Sequence, residues 1–209
     1  MNTQAPILRK GRKIDQVLAG AREIFLRDGF EGASVDDIAK ASGVSKATLY
    51  SYFSDKRQLF KEVVQAECER MSTEIVSRID ETMPVRDALH LAAYGLAKFL
   101  VSEFSQRIFR ICVAERDRFP ELGQAYYEAG PGNGHEQMVE HLRESVSRGE
   151  LNIDDVDMAA YQFSELCKTK LFNLACFGVR TEFSDDEILS VANATVEMFM
   201  KSYGTSSPA

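Results

Sequence analysis

Residues 34–60 read Ser-Val-Asp-Asp-Ile-Ala-Lys-Ala-Ser-Gly-Val-Ser-Lys-Ala-Thr-Leu-Tyr-Ser-Tyr-Phe-Ser-Asp-Lys-Arg-Gln-Leu-Phe, and their spacing predicts two short helices around a glycine corner. The Ser34 hydroxyl can cap the first helix, with Asp37 reaching back toward the Ser34 amide and placing negative charge near the positive end of the helix dipole. Val35, Ile38 and Ala39 then face inward. Gly43 stands where a helix end wants a left-handed residue, a conformation entered at little cost only without a Cβ. Val44 plugs the corner, Ser45 caps the second helix, and Leu49 and Phe53 fall on the face that packs back onto the first.

That arrangement leaves Ser45, Lys46, Ala47, Thr48, Tyr50 and Tyr52 outside. A merely solvated helix would carry Glu and Lys pairs there rather than two phenols and small residues. Against duplex DNA the same row has a use. Lys46 can reach a guanine edge or a phosphate, Ala47 lets the backbone approach, and Thr48 can hydrogen-bond or touch a thymine methyl. Tyr50, Tyr52 and Lys56 suit phosphate oxygens, and Ser34 and Val35 are counted with this DNA-binding set. The pattern is that of a helix-turn-helix. Arg9, Lys10, Arg12 and Lys13 form the densest basic cluster of the chain, and an unstructured arm bearing them can lie along phosphates or enter a minor groove.

The 209 residues carry a net charge of −7, which looks wrong for a partner of DNA until it is divided. Residues 1–61 hold 11 Lys or Arg against 7 Asp or Glu, and the remainder 14 against 25. Such polarity turns one end toward phosphate and the other away from it. With 44% hydrophobic residues the chain can bury a proper core. Cys68, Cys112, Cys167 and Cys176 lie in apolar helical surroundings without Cys-x-x-Cys pairing, so neither a zinc site nor a disulfide framework is expected. His90, His135 and His141 are too scattered to form a ligand set. No metal and no cofactor is expected. No cleavable leader and no stretch of about 18 apolar residues is present, so no membrane contact and a cytoplasmic location are expected.

From Ile14 to about Val64 the chain resembles the DNA-binding domain of TetR-type transcriptional regulators. The resemblance is carried by Ala21, Phe25, Gly29, Ser34, Val35, Ile38, Ala39, Gly43, Val44, Ser45, Leu49, Tyr50, Tyr52, Phe53, Lys56, Leu59 and Phe60. Ser51 departs from it, where many members carry an aromatic residue or histidine. From Arg107 to about Phe177 the chain resembles the C-terminal domain of the AefR-like or AcrR-like branch. These resemblances imply a DNA-binding head, an effector-binding and dimerisation body, and repression as the usual mode.

No alternating strand pattern occurs, so the expected class is all-α. The expected division is a head over 1–60, a helical body over 61–204 and a mobile tail over 205–209. Helices are expected over 12–28, ended by Gly29, and near 55–81, 85–103, 105–117, 120–129, 134–148, 155–177 and 185–203, the last opened by a Ser184 to Glu187 capping box. A break is expected at Gly130 to Gly134.

In the last two helices apolar residues occupy more than one face, which suggests an interface between copies. Met158, Tyr161, Leu189, Val196 and Met200 are the candidate dimer contacts, in a four-helix bundle about a two-fold axis. A homodimer would suit a palindromic operator with half-sites about 34 to 36 Å apart or a multiple of that. Phe99, Phe109, Cys112, Tyr127, Phe163 and Cys167 are the candidate walls of a pocket for a small hydrophobic or aromatic effector. An enzyme using Glu115, Asp117 and Glu136 lacks any Glu-x-x-His pair or Gly-rich phosphate loop. A sequence-independent architectural DNA binder conflicts with the acidic body.

Overall fold

A computed structural model describes residues 11–80 and 82–205, and among them the chain is built of helices: α1 (Arg12–Gly32), α2 (Val35–Ala41), α3 (Lys46–Tyr52), α4 (Lys56–Val76), α5 (Val85–Leu100), α6 (Glu103–Ala114), α7 (Pro120–Tyr127), α8 (Asn133–Ser147), α9 (Val156–Leu166), α10 (Leu171–Cys176) and α11 (Asp185–Tyr203). The chain divides into two units, one ending at Val64 and the other starting at Gln65.

In the first unit α1 buries Val17, Leu18, Ala21, Ile24 and Phe25 at helical spacing, the inner stripe its sequence dictates. Gly29 takes φ 72°, which breaks the helix where expected, yet the chain resumes a helical turn as far as Gly32. That extra turn places Phe30 in the core. Its ring lies 6.1 Å from Phe25 and 5.6 Å from Phe60, and Phe25 meets Phe60 at 5.2 Å. Each such buried ring contributes about 1.5–3 kcal/mol. α1 comes close to the end of α2 at Gly20, where a Cβ would fall 2.3 Å from Ser42 Oγ and 2.7 Å from the Ser42 backbone nitrogen. Ser42 is itself buried, its hydroxyl donating to the Ile38 carbonyl at 2.7 Å.

In the second unit α5 packs along α11, and a core forms from Leu89 and Ala93 of α5, Val139 and Leu142 of α8, Ala159, Ala160 and Phe163 of α9, and Ala192, Val196 and Phe199 of α11. The α11 start is closed by the expected capping box: Glu187 N–H donates to Ser184 Oγ at 3.3 Å and Ser184 N–H to Glu187 Oε2 at 3.0 Å.

Three expectations need correction here. The single helix over 155–177 is two, α9 and α10, separated at Lys170, whose φ of 67° no α-helix accommodates. The break at Gly130 to Gly134 is instead a π-helical turn, Glu128–Gly132, that joins α7 to α8; Pro131 lacks a backbone N–H and local widening accommodates it. Thr205 is held rather than loose: its hydroxyl donates to the Gly149 carbonyl at 2.9 Å and its N–H to Glu150 at 3.2 Å, beside a bridge between Leu151 and Gly204. The rest of the expected mobile tail lies outside the described residues.

Candidate nucleic-acid interface

The turn between α2 and α3 is made by hydrogen bonds that its sequence specifies. Val44 N–H reaches the Ala39 carbonyl at 3.1 Å and Gly43 N–H reaches Lys40 at 3.1 Å, with Gly43 at φ 63°. This is a Schellman closure, and it needs a residue without a Cβ at that point. Ser45 Oγ accepts from Thr48 N–H at 3.1 Å and starts α3. At the start of α2, Ser34 Oγ accepts from Asp37 N–H at 3.0 Å while its proton goes to Asp37 Oδ2 at 2.6 Å. The Asp37 carboxylate is thus met by the Ser34 hydroxyl, where the sequence suggested the amide. Val35 is half-buried beside it.

Leu49 and Phe53 are buried as their spacing requires, which fixes the outward face of α3. Ser45, Lys46, Ala47 and Tyr50 are exposed on it, Thr48 is half-buried, and Tyr52 stands exposed beside Phe53. Tyr50 leaves 51% of its surface to solvent, a large apolar and hydrogen-bonding ring with little contact to its own domain. Ser51, also exposed, returns its hydroxyl to the Thr48 carbonyl at 2.6 Å.

Two basic residues stand in positions the sequence did not disclose. Lys46 is paired with Asp36 across the turn at 2.6 Å, and that carboxylate pushes the Lys46 pKa up. Lys56 does not reach outward. Its ammonium donates to the carbonyls of Phe30 at 2.6 Å, Ala33 at 3.0 Å and Glu31 at 3.3 Å, and sits 4.7 Å from the Phe30 ring centroid. Three carbonyls take its three protons, so the phosphate contact expected of Lys56 gives way to a structural one. Spacing along the chain gave no sign of this, because the carbonyls lie 23 to 26 residues away. Of the basic cluster, Arg9 and Lys10 lie outside the described residues. Arg12 and Lys13 are exposed but belong to the first turn of α1 rather than to an unstructured arm.

The six candidate pocket residues do not share one place. Phe163 and Cys167 belong to the closed core, the Phe163 ring edge-on to Phe199 at 5.3 Å. Tyr127 is exposed, and Phe99 pairs with Phe104 at 6.4 Å. Phe109 and Cys112 remain, both on α6. Phe109 lies 6.2 Å from Tyr126 and 5.9 Å from Phe172, and Cys112 Sγ is 3.5 Å from the Leu122 carbonyl. Burial raises the thiols, Cys68 to about 11 and Cys112 and Cys167 to about 12, so all three are neutral and unreactive near pH 7.

The candidate dimer contacts divide in the same way. Met158 and Tyr161 are exposed on α9, with Tyr161 stacked on His135 at 3.9 Å. Leu189 is half-buried. Val196 is only 2% exposed and Met200 packs on the same core, because the second apolar stripe of α11 wraps around Phe163 and Phe199 rather than facing out. The sequence reading passed over Met198, which is exposed. Among the described residues no cluster of His, Cys, Asp or Glu could hold a metal ion, and no helix is long and apolar enough to cross a membrane.

Comparison with known proteins agrees with this geometry in both units. The profile of the bacterial regulatory proteins of the tetR family matches residues 17–63, and that of the AefR-like transcriptional repressor C-terminal domain matches residues 87–205. The flavonoid-responsive regulator FrrA has a similar structure, with TM-score 0.72 and 32% identity over 93% of this chain and 98% of that one. A TetR-family regulator from Mesorhizobium loti superposes with TM-score 0.83 at 27% identity, over 94% of this chain and all of that one. The HTH-type transcriptional regulator YezE of Bacillus subtilis is 26% identical over 147 residues, 69% of this chain and 75% of its own. With a head that presents α3 and a body matched over more than half of the chain, this protein belongs to the TetR family of DNA-binding transcriptional regulators, in its AefR-like branch.

Proposed function

We propose that the protein is a homodimeric repressor that grips a two-fold symmetric operator through α3 and releases it when a small hydrophobic or aromatic effector binds the body. The observation that carries this reading is the outward face of α3, where Lys46, Ala47 and Tyr50 stand exposed above a buried Leu49. Lys46 and Thr48 are assigned to base edges. Ser34, Val35, Ser45, Tyr50 and Tyr52 are assigned to the phosphates around them, and Ala47 to close approach. Arg9, Lys10, Arg12 and Lys13 are assigned to further phosphates. The match of the body to the AefR-like transcriptional repressor domain supports the sign of the response, and the flavonoid response of FrrA supports an aromatic effector.

Release follows from linkage: an effector that prefers the DNA-free arrangement of the dimer by about 1–3 kcal/mol lowers operator affinity by that amount. The helix α4 runs through the boundary between the units and is the covalent route for such coupling. Met158, Tyr161, Leu189 and Met198 are the residues through which a second copy is proposed to dock. The test is a binding titration at several salt concentrations, with duplexes selected by the protein from a random library compared with unselected duplex. A selected palindrome bound by two copies, at least about 1,000-fold tighter than unselected DNA, is the expected result. Equal affinity for both would remove the operator from the proposal.

A further inference from the structure

Phe109 of α6 meets two further half-buried rings, Tyr126 of α7 and Phe172 of α10, and the turn of α6 that precedes it carries buried polar atoms without a hydrogen-bond partner. Ser105 is 1% exposed and Gln106 5% exposed, both on the first turn of α6. The Gln106 amide is anchored, its Nε2 donating to the Leu100 carbonyl at 2.7 Å. Its Oε1 is buried without a partner, and so is Ser105 Oγ. Ser105 can donate to the Tyr126 oxygen and Gln106 to the Cys176 sulfur, contacts that favour the ionised forms of Tyr126 and Cys176, but in the structure Ser105 Oγ and Gln106 Oε1 fall outside hydrogen-bond geometry with any partner. Buried polar atoms in proteins are as a rule satisfied. Two exceptions on adjacent residues, about one helical turn before a half-buried Phe109, mark a place prepared for something to enter.

The lining also states the charge of what can enter. Burial pushes Tyr126 to about 12, Cys112 to about 12 and Cys68 to about 11, so each is neutral near pH 7. Arg110 and Lys168 bear on Cys176, and Lys168 is already paired with Glu165 at 2.5 Å. An ionised oxygen cannot donate to the unpartnered Gln106 acceptor and would be repelled by it, whereas a neutral hydroxyl can donate there.

We propose that Ser105, Gln106 and Tyr126 form the polar end of the effector site, and that its ligand is a neutral, flat aromatic compound whose hydroxyl donates to Gln106 Oε1 and meets Ser105 Oγ. This deepens the ligand-responsive reading, on which it rests, by narrowing the effector to phenolic chemistry. The aromatic body of the ligand lies among Phe109, Tyr126 and Phe172. Its hydroxyl is what a plain hydrocarbon of the same shape lacks, and a site built around unpartnered acceptors discriminates against that hydrocarbon.

The test uses the full chain and two probes of equal shape, 2-naphthol and naphthalene, with affinities from equilibrium dialysis. Wild type is expected to bind 2-naphthol at least about tenfold tighter than naphthalene. Ser105→Ala and Gln106→Met are each expected to bring that ratio to within about threefold. Gln106→Met also removes the bond to Leu100, so Ser105→Ala decides the matter if the other variant does not fold. Equal affinities in wild type, binding of neither probe, or a ratio that survives both substitutions overturns the proposal. Operator release measured alongside separates the two readings. A phenol that binds with the expected ratio but leaves DNA affinity unchanged keeps this site and removes the effector role. Release by 2-naphthol that both variants retain in full keeps the effector role and removes this site.

Discussion

The head and the body are both helical, yet they are held together over different distances along the chain. In the head the bonds that shape the turn before α3 join near neighbours, Ser34 with Asp37, Val44 with Ala39, Ser45 with Thr48, the anchor of Lys56 being long-range. In the body bonds join residues far apart, as in Ser72 with Gln137 and Tyr94 with Asp185. A recognition helix has to be angled by its own turn, so the information is local. A ligand-binding body is a packing solution, in which many apolar residues are interchangeable and few positions are dictated.

The sharpest way to break that comparison is to hollow out each core in turn. Phe25→Ala and Phe163→Ala each remove a ring with no exposed surface, and each is expected to cost about 3–5 kcal/mol. Thermal unfolding followed by circular dichroism measures the loss. Only the Phe25 change should abolish DNA binding at temperatures where the helical signal of the body persists. Loss of binding in both variants at the same temperature would show that the units unfold as one.

Gly20→Ala asks whether the head tolerates slack between α1 and α2. The added carbon meets backbone as well as a hydroxyl, so about 1–3 kcal/mol of stability should go, with DNA affinity falling in parallel. A neutral result would mean that the two helices part freely. Lys56→Met strands three carbonyls and is expected to cost about 1–3 kcal/mol while leaving the salt dependence of DNA binding alone. If instead stability holds and the salt slope falls by about one, Lys56 is a phosphate ligand after all.

Smaller effects refine the reading face. Tyr50→Phe should weaken binding to every duplex by a similar factor, about three- to tenfold, whereas Lys46→Ala and Thr48→Ala should change the order of preference among duplexes. Uniform effects from all three would erase the distinction between phosphate and base contacts. The weakest effect concerns acid. Burial, aided by Arg148, lowers the His141 pKa below its usual 6.5 in the folded body. Below 6.5 the unfolded chain therefore takes up a proton that the folded one resists, and stability falls as pH drops toward the depressed value. Melting curves at pH 7 and pH 5 should show His141→Gln losing less than wild type.

The same difference in range explains what the sequence could disclose. Gly43, Ser45, Leu49 and the outward row of α3 were legible because each has its reason within five residues. The Ser184 cap of α11 was legible on the same ground. Lys56 was misread because an ammonium on an early helical turn looks the same whether it faces phosphate or the end of α1. Val196 was misread because an apolar residue off the main stripe fits an interface and a thick core equally well. Ser105 and Gln106 carried no signal at all, being ordinary polar residues whose meaning comes only from burial.

The tight seat of Gly20 on Ser42 separates two kinds of change. Aim is set by a buried junction, while Ala47 and Tyr50 project from α3 with little duty toward their own domain and Lys46 is tied only to the Asp36 carboxylate among the ion pairs of the described residues. A descendant of this chain can therefore acquire a new target by exchanging those exposed groups one at a time, keeping the posture of the helix that carries them.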